Sequence, residues 1–335
     1  MKKIKTTSLS AVSIAALLVL AACGGGGDGG GSSTGSTGSG SGSSGGGSTP
    51  VAVTGTLDSP QYAQGSAQLA AFNLLNQYRT QCGFPALQEN TVLDQAAQAH
   101  ALYQGLNGAV SDMESAGTQG FTGATYVDRA VHVGAPSTVF GTGVSAAYYT
   151  NTTLTDAEYG KNLITAWMSG VYHSPAVLYP SKIVGIGSYK TSFNGFPDVW
   201  GSVSLLDTSA QTMSGTPLTF PCQGVTGVAY SVSGEIPTPP NVSASGWGTP
   251  IVVAGNLSDA VILQSAAVSG PSGAVAVQVL NASTDPNKQL GTYQAVAYPT
   301  SPLSPNTTYN VTLTGTVNGT PFSRSFSFTT GNVVG

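Results

Sequence analysis

The sequence predicts an α+β protein of two unlike folded parts, a mixed helix–strand part followed by an all-β sandwich. Three observations carry that prediction. Apolar residues recur at helical spacing in three stretches between residues 71 and 171 and show no such spacing later. Beyond residue 240 they alternate with polar residues in short runs broken by Gly and Pro. Between the two regimes stands Glu235-Ile236-Pro237-Thr238-Pro239-Pro240, whose prolines favour an extended, semi-rigid spacer.

Before either part comes a leader. Lys2, Lys3 and Lys5 make a positive head, and residues 10–22 are almost wholly apolar but too short to span a bilayer. Leu20-Ala21-Ala22-Cys23 then supplies a small-residue cleavage point. The stretch resembles a bacterial lipobox, which implies that residues 1–22 are a signal peptide and that Cys23 becomes an acylated (palmitate-type) first mature residue. Several acyl chains, each contributing about 0.8 kcal/mol per buried methylene, make such an anchor durable. Residues 24–49 contain only Gly, Ser and Thr apart from Asp28. With Cys23 and Pro50 they form a tether over residues 23–50 that buries no apolar surface, with a root-mean-square reach of about 28 Å. Gly24 in place of Asp resembles an outer-membrane sorting signal, if the cell has such a membrane. The expected location is a bacterial cell envelope, with the membrane as partner through Cys23.

The mixed part is expected over residues 51–232. Ala71, Leu74, Leu75 and Tyr78 mark a first helix, closed near Gly83 and Pro85. Leu93, Ala96, Ala97, His100 and Tyr103 mark a second. Thr155-Asp156-Ala157-Glu158 reads as a capping box opening a third, with Ile164, Trp167, Met168 and Val171 on its apolar face and Pro175 and Pro180 stopping it. Residues 183–189 and 199–205 read as an antiparallel strand pair. After a spacer at 233–240, residues 241–335 form the sandwich. Its strands lie near 251–253, 260–263 and 275–280, and a final hairpin turns at Asn318-Gly319.

Loss of Lys2, Lys3 and Lys5 from the ten basic residues leaves seven against fourteen acidic. No basic patch exists to neutralise phosphates, which excludes nucleic acid as a partner. Besides Cys23, only Cys82 and Cys222 remain. In an oxidising envelope they are expected to form a disulfide, the other reading being two buried thiols. The three histidines, His100, His132 and His173, stand at no metal-ligand spacing, and no His-Glu-x-x-His, Cys-x-x-Cys or Gly-x-Ser-x-Gly occurs. No nucleophile is singled out, so the sequence identifies no catalytic residue, cofactor or metal and leaves enzymatic activity open, leaning against it.

One ordered set of motifs goes further. Leu74-Leu75-Asn76-Gln77-Tyr78-Arg79, Gly83-Phe84-Pro85-Ala86-Leu87 and Leu93 through His100 resemble the opening helices of the CAP (or SCP) superfamily, which comprises cysteine-rich secretory proteins, antigen 5 and pathogenesis-related proteins. Phe121 to Thr125 with Asp128-Arg129, then Trp167 through His173 and Ile183 to Gly187, resemble later segments of its bacterial branch. The resemblance implies an α-β-α sandwich with a central antiparallel sheet and a surface cleft. In the family it resembles, that cleft holds two His and two acidic residues able to bind a divalent cation. In this chain Asp112 stands where the first His belongs, Glu114 matches the following acid, Thr142 replaces the acid of a Gly-Glu pair, and His173 matches the second His. Two of four ligands are thus changed and a zinc site is not expected, though a hard cation held by Asp112, Glu114 and water stays open. His173, Asp112, Glu114, Thr142 and, on the second helix, His100 are the expected ligand-binding residues. Each has a plainer reading: a helix cap for His173, a satisfied core side chain for His100, solvated loop carboxylates for Asp112 and Glu114. Pro302 through Tyr309 running into Val311 and Leu313 resembles the closing hairpin of bacterial immunoglobulin-like domains, which implies a spacer or adhesion module and no chemistry.

The function expected is therefore a lipid-anchored binding module whose cleft takes a small apolar ligand, a glycan or a protein. The alternatives are a structural or adhesion protein of the surface, or a surface hydrolase using His173 as general base.

Overall fold

In the computed structural model, residues 53–335 are described; Cys23 and the leader and tether around it lie outside them. Helix α1 (Ala67–Gln81) starts where the Ser66 hydroxyl accepts the Leu69 N–H and ends before Gly83, at φ +81°. β1 (Gln88–Glu89) leads into α2 (Thr91–Asn107), capped by the Asn90 side chain and closed by left-handed Gly108. α3 (Tyr126–His132) and α4 (Asp156–Ser169) each open on a complete capping box, Thr125 with Asp128 and Thr155 with Glu158. Between them runs β2 (Phe140–Tyr149). After the short α5 (His173–Val177) come β3 (Ile183–Phe193) and β4 (Phe196–Asp207).

These strands form one sheet in the order β1-β3-β4-β2. β3, β4 and β2 are antiparallel, but β1 joins β3 in parallel, so the expected all-antiparallel sheet is corrected at that edge. α2 lies on one face and is drawn close at Gly185 and Gly187, where a Cβ would run into the backbone of Leu93 and Ala97. Leu163 of α4 covers Gly201 on the other face, and Gly160 lets α4 meet the Ala67 backbone of α1. The α-β-α layering expected for this part is present.

The second part is all β. β5 (Leu218–Phe220), β7 (Ile251–Ala254), β10 (Val277–Asn281) and β11 (Gln294–Pro299) make a four-stranded sheet in the order β10-β11-β7-β5. β6 (Thr226–Val228), β8 (Val261–Gly270), β9 (Gly273–Val275), β12 (Thr308–Val317) and β13 (Thr320–Thr330) make a five-stranded one in the order β6-β13-β12-β8-β9. Asn318 and Gly319, both at positive φ, turn β12 into β13 as the sequence predicts. Two sheets, antiparallel except where β6 joins β13 in parallel, packed over one core are consistent with the immunoglobulin-like expectation.

Two features differ from the sequence reading. β5 and β6, placed before the proline segment and so within the first part, pair with β7 and β13 of the sandwich. Nor is the segment at 233–240 a free spacer, because Glu235 is only 6% exposed and is bonded into the first part. A single hydrophobic cluster runs through both parts, from Leu75, Trp167 and Val203 to Phe220, Trp247 and Val296. Trp247 Nε1 donates to the Ser169 carbonyl at 3.2 Å, Gln294 Nε2 to the Pro175 carbonyl at 2.9 Å, and Tyr172 OH to Asp285 at 2.9 Å. Cys82 and Cys222 form the expected disulfide. Since Cys222 follows β5, it ties α1 to the sandwich rather than to the end of the first part.

Candidate functional site

The loop between α2 and α3 carries two of the positions singled out by the sequence, Asp112 and Glu114, and is built around a buried contact between Glu114 and His100 of α2. His100 Nδ1 stands 2.8 Å from Glu114 Oε1 and Nε2 stands 2.8 Å from the Ser111 carbonyl. Both ring nitrogens thus have an oxygen partner. The other carboxylate oxygen of Glu114 accepts the N–H groups of Thr122 at 2.6 Å and Gly123 at 3.2 Å. Arg129, 3.9 Å from Glu114, donates to the carbonyls of Gly123 and Asp112 and lies over the Tyr126 ring. Burial works to raise the Glu114 pKa. Hydrogen bonds from His100 and Thr122 and the charge of Arg129 outweigh it and hold the carboxyl below its ordinary value. His100 and Glu114 have side chains 0% exposed, so the expectation that they meet a ligand is corrected. They pin the loop, because an unpaired charge there would be prohibitively desolvated.

Asp112 is the exposed member of that loop. Its carboxylate accepts the Tyr126 hydroxyl at 2.7 Å, and that hydroxyl lies 2.8 Å from Ser145 Oγ. Tyr126 has one proton and gives it to Asp112, so Ser145 donates in turn. Tyr126 sits against β2 where Gly143 leaves room, since a Cβ at Gly143 would strike its ring. Side chains alternate along a strand, so Thr142 points to the face opposite Gly143 and Ser145. Its hydroxyl reaches only the Gly143 carbonyl, at 3.4 Å. Thr142 is therefore not gathered with Asp112, and its place in the expected ligand set is corrected.

His173 opens α5. Glu235, arriving from the proline segment, accepts the N–H of Val171 at 2.7 Å and those of Tyr172 and His173 at 2.9 Å. The same carboxylate lies 3.0 Å from His173 Nδ1. Gly170 makes the approach feasible, since a Cβ there would collide with Glu235 and His173. Burial lowers the His173 pKa, but the hydrogen bond and charge of Glu235, with the charge of Asp112 added, raise it above its ordinary value. His173 keeps 20% of its side chain exposed. Arg79, wholly buried, braces the far end of α5 by donating to the carbonyls of Val177 and Tyr179.

The structure thus sets Asp112 within electrostatic reach of His173, turns Thr142 to the other face of β2 and withdraws His100 and Glu114 into the loop. Neither of two surface cavities, of about 500 and 260 Å³, is lined by any of these five residues. The divalent cation implied by the resemblance does not fit this donor set: one of the two matched ligands is buried under Arg129, and the Nδ1 of the other faces Glu235. Among the described residues no three His, Cys, Asp or Glu side chains are arranged around a metal-sized site. Sequence reasoning missed Tyr126, Ser145 and Glu235. Thr125-x-x-Asp128 is a capping box that locates Tyr126 at a helix start, whereas nothing adjacent to Glu235 announces its partners.

A family model described as the cysteine-rich secretory protein family (CAP) matches residues 72–203, a span that stops within β4, ahead of β5 and β6. No curated protein matches the chain. Among solved structures, an outer surface protein from Borrelia burgdorferi is 12% identical, with a TM-score of 0.32, covering 42% of this chain and 91% of that one. The helix–sheet–helix part of this chain is thus similar, over residues 72–203, to the CAP domain of the cysteine-rich secretory protein family.

Proposed function

We propose that the protein is a lipid-anchored component of a bacterial cell envelope, a non-catalytic binding module whose CAP domain contacts a protein or glycan partner around Asp112 and His173. The observation that carries this reading is the Glu235–His173 pair. It fixes the imidazole on its Nδ1 side and leaves the rest of the ring at a partly open surface within reach of Asp112's charge. A cationic donor and an exposed carboxylate can each take a polar partner group. Leu106, Val110, Met113 and Phe121, all exposed, flank Asp112 in sequence with the apolar area that a macromolecular contact requires.

A hydrolytic reading draws some support from the same pair, since a carboxylate orients the imidazole of many acid–base dyads. Against it, no Ser, Thr or Cys among the described residues hydrogen-bonds the other ring nitrogen, so no activated nucleophile accompanies His173. The immunoglobulin-like sandwich serves as a rigid extension of the binding module.

The test is chemical crosslinking of envelope preparations followed by identification of the captured partner, using the wild type and Asp112→Asn. Loss of a specific adduct in the variant is expected, and an unchanged adduct pattern refutes the site. For the anchor, Cys23→Ser is expected to move the protein from the membrane fraction to the soluble one. Unchanged sedimentation with membranes overturns lipidation.

A further inference from the structure

The larger cavity, about 500 Å³, opens on the side of α2 opposite His100 and is walled by Tyr62, Asp94, Ala99, Leu102 and Ile186 together with three glutamines. Its polar floor is unusual. Asp94 Oδ1 accepts the Tyr62 hydroxyl at 2.6 Å and the Ile186 N–H at 2.8 Å. Glu89, near enough to raise the Asp94 pKa, is buried and accepts the Gln61 N–H. Two neighbouring acidic groups, each accepting a backbone N–H, thus stand at this wall. Buried charges are normally matched by a cation. No basic side chain lines this cavity, and none of the ion pairs among the described residues involves Glu89 or Asp94.

We infer that this cavity is a binding site for an organic ammonium ion, a primary amine head on an apolar body. The head supplies the missing positive charge. Its three N–H donors match the Asp94 carboxylate and the side-chain oxygens of Gln68 and Gln95, while Gln98 is already engaged with the backbone of Ser188 on β3. The Tyr62 ring offers an aromatic surface to a cation, and Ala99, Leu102 and Ile186 take the apolar body. An anionic ligand has no counter-charge here, and a neutral alcohol leaves the carboxyl charge unmatched. The Asp94 pKa is pushed up to about 7, chiefly by burial. The ionisable groups facing it are Tyr62 and Glu89. An ammonium ion therefore favours the ionised Asp94 carboxylate, and its binding strengthens as pH rises through that value.

The experiment is calorimetric titration of the full chain with hexylammonium chloride, 1-hexanol and sodium hexanoate at pH 8. Hexylammonium is expected to bind at least tenfold more tightly than either comparator and to release protons when titrated at pH 7. Asp94→Asn is expected to reduce hexylammonium affinity to that of hexanol. Leu102→Trp, which fills the cavity without touching the carboxyls, is expected to abolish binding and covers the case in which the Asp94 variant does not fold. Equal affinity for hexylammonium and hexanol, no binding at all, or ammonium binding that survives Leu102→Trp each overturns the proposal and leaves Asp94 as a cap on the β3 edge.

Discussion

Replacing Glu235 tests whether the proline segment is a spacer or a clasp. In the structure its carboxylate receives three backbone N–H groups at 2.7, 2.9 and 2.9 Å and lies 3.0 Å from His173. Glu235→Ala leaves three donors and an imidazole without their acceptor. An orphaned buried donor costs about 1–3 kcal/mol, and removing one partner of a buried ion pair costs about 3–5 kcal/mol in all. Water can enter the vacated space and rescue part of the loss, so about 3–4 kcal/mol is expected. Glu235→Gln keeps one acceptor oxygen but turns an amide N–H₂ toward the donors, for an expected loss of about 2–3 kcal/mol. Urea unfolding followed by tryptophan fluorescence reads this directly, because Trp167 and Trp247 both belong to the shared core and Trp247 bonds Ser169, next to the latch. The pH dependence supplies a second readout. His173 has a raised pKa in the folded state, so its contribution is complete below its ordinary value of 6.5 and is lost as pH rises through the raised one. That slope is expected in the wild type and absent from Glu235→Gln. A loss under about 1 kcal/mol for Glu235→Ala, with an unchanged pH slope, would refute the clasp.

Three further outcomes follow from other parts of the structure. Opening the Cys82–Cys222 bond by Cys82→Ser with Cys222→Ser, across a sequence separation of 140, is expected to lower stability by up to about 5 kcal/mol in the chain-entropy account, measured by denaturant titration of the two forms. Glu114→Ala is expected to cost about 3–5 kcal/mol and to admit protease cleavage between residues 108 and 125, whereas an uncut loop would deny Glu114 its pinning role. Because the Glu114 pKa is lowered, this stabilisation is present above 4.5 and fades as pH falls through the folded value. Gly187→Ala drives a methyl into the Ala97 backbone and is expected to cost at least about 1–3 kcal/mol, checked by thermal unfolding against Gly195→Ala, whose Cβ meets no neighbour and whose smaller loss reflects only its positive φ.

What the sequence made legible was everything written at short range. The spacing of Leu74, Leu75 and Tyr78 located α1, the Thr155–Glu158 box located the start of α4, and Asn318-Gly319 located the last hairpin. β2 escaped because Phe140-Gly141-Thr142-Gly143-Val144 offers little alternation, its glycines being set by Tyr126 and by the Leu205 carbonyl across the sheet. β5 and β6 were assigned to the wrong side of the boundary because three-residue strands carry no signature of their partners, which lie 33 and about 100 residues onward. The site was legible in its letters but not in its roles. His100 and Glu114 were singled out for a cleft, yet Arg129 and the Thr122 N–H drew them inward. The pairing of His173 with Glu235 spans 62 residues and exists only once both sheets are in place.

The pairing of β6 with β13 and of β5 with β7 also dictates an order of events during synthesis. The ribosome finishes the CAP helices and their sheet early, but the stretch near residue 226 must wait for some hundred later residues before its neighbour exists. Severing the polypeptide at the prolines would strip two strands from the sandwich and leave them unpaired on the first fragment, so the second fragment would not inherit an intact fold. Recombination between genes could not shuffle these halves as separate cassettes at that seam; a viable crossover would have to fall after Asp207, before the chain commits its first strand to the sandwich.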